Sequence, residues 1–225
     1  MPHLRNRHSI PILKKLGALW PVVGVLGPRQ TGKTTLVHSL LGILNSVSLD
    51  ELESREEAIR SPSTFLAKKG VPLVLDEVQK APALFDEIKL RVDRKRIPGN
   101  YFLTGSSSFS SKLGIRESLT GRMGLLELLP MTVAELHEQP FRPLSKISSP
   151  GSELQTPRFD SSLIIQSAQK GGMPVPSFFR DSEQRDFYWR SWLETSMLRD
   201  LSRFFTRRYD PDFAFNILAR IGAVL

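Results

Sequence analysis

The run Gly27-Pro28-Arg29-Gln30-Thr31-Gly32-Lys33-Thr34 constrains this chain more than any other feature. It matches the spacing G-x-x-x-x-G-K-[ST] in full. The two glycines let the backbone turn its N–H groups inward around an anion. Pro21 to Leu26, just before the run, is continuously apolar and reads as a short buried strand. Leu36, Val37, Leu40 and Leu41 after it read as a helix from about Gly32 to Leu41, whose positive end faces the same anion. A random chain of this length meets the spacing about once in a hundred, before the strand and helix around it are counted. Nucleotide phosphates are therefore expected on Gly27, Pro28, Arg29, Gln30, Thr31, Gly32, Lys33, Thr34 and Thr35. Lys33 is expected to reach the β- and γ-phosphates, and the Thr34 hydroxyl to ligate Mg²⁺.

Further apolar runs predict four more strands: Ser46 to Leu49, Val71 to Leu75, Tyr101 to Thr104 and Leu125 to Leu129. Between them lie helical stretches. Residues 51–69 start acidic and restart at Ser61-Pro62, and Pro82 opens a helix with Leu84, Ile88 and Val92 at helical spacing. Strands alternating with helices predict an α/β domain with a mainly parallel five-stranded sheet covered on both faces. The third strand ends at Asp76-Glu77. A carboxylate there can hold Mg²⁺ opposite Thr34, and a second one beside it can deprotonate an attacking water. Asp76 is thus the second expected metal ligand and Glu77 the expected base. The adjacent Glu77 favours hydrolysis over transfer to a small-molecule acceptor. No N-K-x-D run for guanine recognition occurs, which favours ATP over GTP.

The 225 residues are 40% hydrophobic and 24% charged, which is ordinary globular composition. Cysteine is absent, so a disulfide framework, a thiol nucleophile and a Cys-ligated metal are excluded. His3, His8, His38 and His137 show no metal-ligand spacing. No apolar run approaches the roughly 20 residues of a membrane span. Arg5, Arg7, Lys14 and Lys15 make the first 20 residues basic and acid-free, and the expectation is a first helix, Ile10 to Trp20, packed on the next domain. The expected location is cytoplasmic. The expected division is an N-terminal helical segment (1–20), the α/β domain (21–138), a Pro- and Ser-rich linker (139–160) and a helical C-terminal region (161–225). In that last region Trp189, Leu193, Met197 and Leu201 recur every four residues, a helix face, although the arginines beside Phe187, Tyr188, Trp189 and Trp192 also suit nucleic acid.

The fourth strand runs into Thr104-Gly105-Ser106-Ser107-Ser108, where a polar side chain can position water. Arg122 precedes the fifth strand, and an arginine there can reach γ-phosphate charge; Arg116 and Arg29 are weaker candidates. The segments GPRQTGKTTL, LVLDEVQKAPALFDEIK, YFLTGSSSF, ESLTGRMGLLELLPMTVAEL and GGMPVPSFF follow one another in that order. Together they resemble the AAA-type P-loop ATPases of bacteria and archaea that carry an appended C-terminal domain of unknown function. The resemblance covers about residues 10–205. It implies a three-layer AAA-like fold with strand order 5-1-4-3-2 and a sensor residue at Ser106 or Ser107. It also implies Arg122 as a finger-like arginine, often acting from a neighbouring copy in a homo-oligomer. The appended domain would begin at Gly171-Gly172-Met173-Pro174. It is expected to be incomplete, because Ala223, Val224 and Leu225 end the chain without a cap.

The leading expectation is a Mg²⁺-dependent ATPase that couples its nucleotide state to the C-terminal region or to a protein partner. Its catalytic set is Glu77, Lys33, Arg122 and Ser106. The other reading is a nucleotide-gated module that binds DNA or protein and hydrolyses little. The net charge of +8 permits DNA without favouring it.

Overall fold

The computed structural model describes residues 5–40, 42–105, 119–140 and 159–198. Five strands form one parallel sheet: β1 (Val22–Leu26), β2 (Ser46–Ser48), β3 (Leu73–Asp76), β4 (Tyr101–Gly105) and β5 (Met123–Glu127). Their order is β2-β3-β4-β1-β5. This is the order that the sequence resemblance implies. β1 lies between β4 and β5 with all five of its residues buried, as its unbroken apolar run requires. Being parallel, the strands bring their carboxyl ends to one edge. That edge carries Gly27 after β1, Asp76 and Glu77 at the end of β3, and Thr104 and Gly105 on β4.

Alternate side chains enter different cores. Val22, Leu73, Leu75, Tyr101 and Leu103 point to one face and pack against α3 (Leu52–Arg60), α4 (Pro62–Lys69) and α5 (Ala83–Arg94). Phe65, Ile88 and Val92 from these helices are buried there. Val23, Val25, Val74 and Phe102 point to the other face. They meet Leu13 of α1 (Ile10–Leu19), with Leu36 and Val37 from the helix after the Gly27–Gly32 loop. That helix opens as a short α segment, α2 (Lys33–Thr35), and continues as a π-helical stretch, Leu36–Leu40. Three layers result: helix, sheet, helix.

One boundary differs from the sequence expectation. β5 runs from Met123 to Glu127, two residues earlier than the apolar run at Leu125 to Leu129 suggests. It is an edge strand, and its residues alternate: Gly124 and Leu126 are buried while Leu125 and Glu127 are exposed. Gly124 lets α1 pack closely on this strand, because a Cβ there would lie 2.6 Å from Trp20 Cδ1 and 2.9 Å from Leu16 Cδ2. A glycine therefore begins the strand's covered face, and a reading by apolar weight passes over it.

After β5 come α6 (Val133–Leu136), α7 (Ser161–Lys170) and α8 (Ser182–Trp192), the last extended by a π-helical stretch, Leu193–Leu198. Tyr188, Trp189 and Trp192 pack edge to face with centroid separations of 5.9 and 5.7 Å. Trp189 also donates to the Lys170 carbonyl at 3.3 Å and lies over Gly171. These aromatics are thus engaged in helix packing, although Phe187 is exposed. No helix among the described residues is long and apolar enough to cross a membrane. Ser106, Ser107, Ser108 and Arg116, nearly all of the linker, Leu201 and the last residues lie outside the described residues.

Ile88 is fully buried between α5 and the sheet. Ile88→Ala is expected to cost about 2–5 kcal/mol of stability, and Ile88→Val about 0.5–1.5 kcal/mol. Urea denaturation of the two variants checks the placement. Equal and negligible losses would contradict it.

Candidate functional site

The loop after β1 takes a conformation that only its sequence allows. Gly27 has φ +149°, and a Cβ there would fall 2.2 Å from the Leu128 carbonyl oxygen. Leu128 N donates to the Leu26 carbonyl at 2.7 Å, so the chain leaving β5 crosses directly over this glycine. Gln30 and Gly32 are left-handed, at φ +62° and +89°. Two such residues around Thr31 fold the loop back on itself and deliver Gly32 as the residue preceding α2. Thr31 is fully buried, and its hydroxyl donates to the Pro28 carbonyl at 3.0 Å.

Lys33 is also buried. Its Nζ donates to the carbonyls of Gly27 (3.1 Å) and Pro28 (2.7 Å), across the mouth of the loop. Carbonyl dipoles compensate an ammonium only in part. Burial pushes Lys33 below the usual lysine range, while the charges of Glu77 and Asp76 pull it back up.

Asp76 joins three elements. Its Oδ2 accepts from the Thr34 hydroxyl at 3.0 Å, and its Oδ1 accepts from the Thr104 hydroxyl. Thr104 is fully buried on β4, next to β3 in the sheet. A carboxylate and a hydroxyl thus stand side by side at the loop's edge. Two hard oxygen donors of this kind suit Mg²⁺, which takes its remaining ligands from water and phosphate. No cluster of three or more acidic or histidine ligands exists among the described residues. Glu77 follows in a left-handed conformation, φ +54°, and lines the same cavity as the loop residues. Its Oε2 accepts from Gln79 Nε2. Arg29, Gln30, Gly32, Lys33, Thr34, Thr35 and Glu77 line one open cavity of about 260 Å³.

Arg122 is not in this cavity. It immediately precedes β5, at the amino edge of the sheet, where its carbonyl accepts from Val22 N. The five residues of β5 separate it from the loop edge, a rise of about 17 Å. Its guanidinium forms a two-point pair with Asp93, Nε to Oδ1 at 2.6 Å and Nη2 to Oδ2 at 2.8 Å. That pair holds the Asp93 carboxyl below its usual range. Arg122 therefore cannot reach the phosphate loop of its own chain.

Sequence reasoning missed several groups around the loop. Arg7, taken as part of a basic N-terminal stretch, is buried against the loop. Glu135 belongs to a capping box with Thr132, a pattern that the spacing Thr132-Val133-Ala134-Glu135 announces. From the C-terminal region, Tyr188 donates to Gln30 Oε1 at 2.8 Å. Pro174 faces Gly32, whose Cβ, if present, would lie 3.8 Å from Pro174 Cγ. No local pattern marks these long-range contacts.

Strand order, loop and acidic strand end together define a P-loop nucleotide-binding domain. The family model described as an AAA domain matches residues 20–137, and the chain belongs to this family of AAA-type P-loop ATPases. Uncharacterized proteins of Mycobacterium tuberculosis and Mycobacterium bovis are each 31% identical to it over 186 residues, 81% of this chain. The chain spans only 36% of the length of each of those relatives. Among solved structures, the Walker-type ATPase of Pyrococcus abyssi is similar at 14% identity and a TM-score of 0.45, over 76% of this chain and 65% of that one. The Orc1 protein of Aeropyrum pernix, solved in complex with DNA, is similar at 17% identity and a TM-score of 0.40, over 91% and 70%.

A phosphate on Lys33 would counteract the effect of burial, so a nucleotide-bound protein would hold more protons than the free one. Nucleotide affinity is expected to be flat below the lowered pKa of free Lys33 and to fall as pH rises through it. Titration of a fluorescent ATP analogue from about pH 7 to about pH 10 checks this. Affinity that rises with pH would contradict it.

Proposed function

We propose that the protein binds ATP with Mg²⁺ and hydrolyses its γ-phosphate. The observation that carries this reading is the convergence of Lys33, Thr34, Asp76 and Glu77 on one carboxyl edge of the sheet. In this reading the N–H groups of residues 29–34 cradle the phosphates. Lys33 leaves the Gly27 and Pro28 carbonyls for the β- and γ-phosphate oxygens. Thr34 and Asp76 would hold Mg²⁺, which neutralises charge on those oxygens. Glu77 accepts a proton from the attacking water as the water oxygen bonds to the γ-phosphorus. The β–γ bridging P–O bond breaks, and its electron pair leaves on ADP. Thr104, bonded to Asp76, fixes that carboxylate's orientation.

Arg122 would act only from a neighbouring copy in a homo-oligomer, after release from Asp93. The sensor role of Ser106 and the cytoplasmic location belong to the same proposal. A protein partner is favoured over DNA, since Arg7 is buried and Arg5 is paired with Glu138. The division into segments 1–20, 21–138, 139–160 and 161–225 is likewise proposed. A second reading, a nucleotide-gated binding module with little turnover, draws on the Tyr188 contact with Gln30, which lets the C-terminal helix sense the loop directly.

Lys33→Ala is expected to abolish ATP binding, and Glu77→Gln to keep binding but stop phosphate release. An amide cannot accept the proton, and losing a general base lowers turnover about 10²–10⁴-fold. Binding titrations and a phosphate-release assay on both variants decide this. Parental turnover in Glu77→Gln would remove Glu77 as the base.

A further inference from the structure

Arg7 makes three hydrogen bonds from one planar group. Nε donates to Glu135 Oε1 at 3.1 Å, Nη1 to the Thr31 carbonyl at 2.9 Å and Nη2 to the Leu129 carbonyl at 2.6 Å. Arg7 and Glu135 are 7% and 4% exposed, so this is a buried ion pair rather than a surface one. Glu135 is itself fixed by the His8 N–H (2.6 Å) and the Thr132 N–H (2.9 Å). Burial pushes the Glu135 carboxyl up, but those two N–H groups and Arg7 outweigh it and hold it below the usual range. Three distant segments therefore meet on one guanidinium: the chain before α1, the phosphate-binding loop and the chain after β5.

We propose that Arg7 is a positioning residue for nucleotide binding, setting the orientation of the Thr31–Gly32 peptide in the phosphate-binding loop. The inference rests on the reading of that loop as a nucleotide site. Its logic is the planarity of the peptide bond. The Thr31–Gly32 peptide is trans, so its C=O and N–H point in opposite directions. Drawing the Thr31 carbonyl toward Arg7 turns the Gly32 N–H to the other side of the peptide, away from the guanidinium. Left-handed Gln30 precedes this peptide and left-handed Gly32 is its second residue, with no Cβ to hold the plane by itself. The anchor comes instead from outside the loop, on a residue with donors in a fixed fork. Lysine offers one point charge and cannot span the same three acceptors.

The test uses the full chain and three proteins: wild type, Arg7→Lys, and Ile88→Ala as a control destabilised away from the loop. Each is measured for urea stability, for affinity toward a fluorescent ATP analogue, and for amide exchange at residues 29–33. Arg7→Lys is expected to weaken nucleotide binding about tenfold or more, the loss of a charge-assisted hydrogen bond. It should also speed exchange at Gly32 beyond any global loss of protection. Ile88→Ala should lose stability and keep parental affinity. The proposal is overturned if Arg7→Lys binds like wild type, if it fails to fold, or if affinity tracks stability equally in both variants. Wild type that binds no ATP would instead remove the nucleotide reading, and this inference with it.

Discussion

The parallel pairing of β1 with both β4 and β5 is the constraint on which the rest of the site depends. Five buried residues fix β1 at the centre of one half of the sheet. Because its neighbours run the same way, the ends of β1, β3 and β4 meet at a single edge. Asp76 then lies within hydrogen-bond distance of both Thr34 after the loop and Thr104 on β4, with Glu77 beside it. Gly27 shows how tight this arrangement is. Its place against the Leu128 carbonyl leaves no room for a side chain, so the first loop glycine is required by packing against the chain leaving β5.

Charge at the site follows from the same geometry. Lys33 is delivered from the start of α2 into a buried position where only carbonyls answer it. Asp76 is answered by two hydroxyls, Thr34 and Thr104, and Glu77 by the Gln79 amide. An ammonium and two carboxylates thus stand near one another, none of them in a direct ion pair with another. That arrangement suits a ligand that brings negative charge to the lysine and, with its cation, positive charge to the carboxylates. Around this centre the N-terminal and C-terminal segments close in, through Arg7 on Thr31 and Tyr188 on Gln30.

The core of the fold was legible because buried parallel strands and amphipathic helices leave strong local patterns. Val22 to Leu26 and Leu73 to Leu75 are continuous apolar runs, and Leu84, Ile88 and Val92 repeat at helical spacing. The loop was legible because its backbone shape demands Gly27 and Gly32 at fixed separation. β5 was harder, since an edge strand needs only alternate apolar residues and here starts its covered face on Gly124. Arg7 was illegible: its partners lie 24, 122 and 128 residues away, and a lone arginine in a basic stretch looks like a solvated one. Arg122 shows the reverse case. Its motif was visible, but only the sheet direction reveals that it stands at the edge opposite the loop of its own chain.

We hold that the loop between β1 and α2 is a phosphate site and that a nucleotide draws the Lys33 ammonium off the Gly27 and Pro28 carbonyls. A crystal structure with Mg²⁺ and a non-hydrolysable ATP analogue tests it most directly. The β-phosphate is expected inside the loop, with Lys33 Nζ on phosphate oxygens and the metal beside Thr34 and Asp76. An analogue bound elsewhere, or Lys33 still bonded to the Gly27 and Pro28 carbonyls beneath the bound nucleotide, would contradict it.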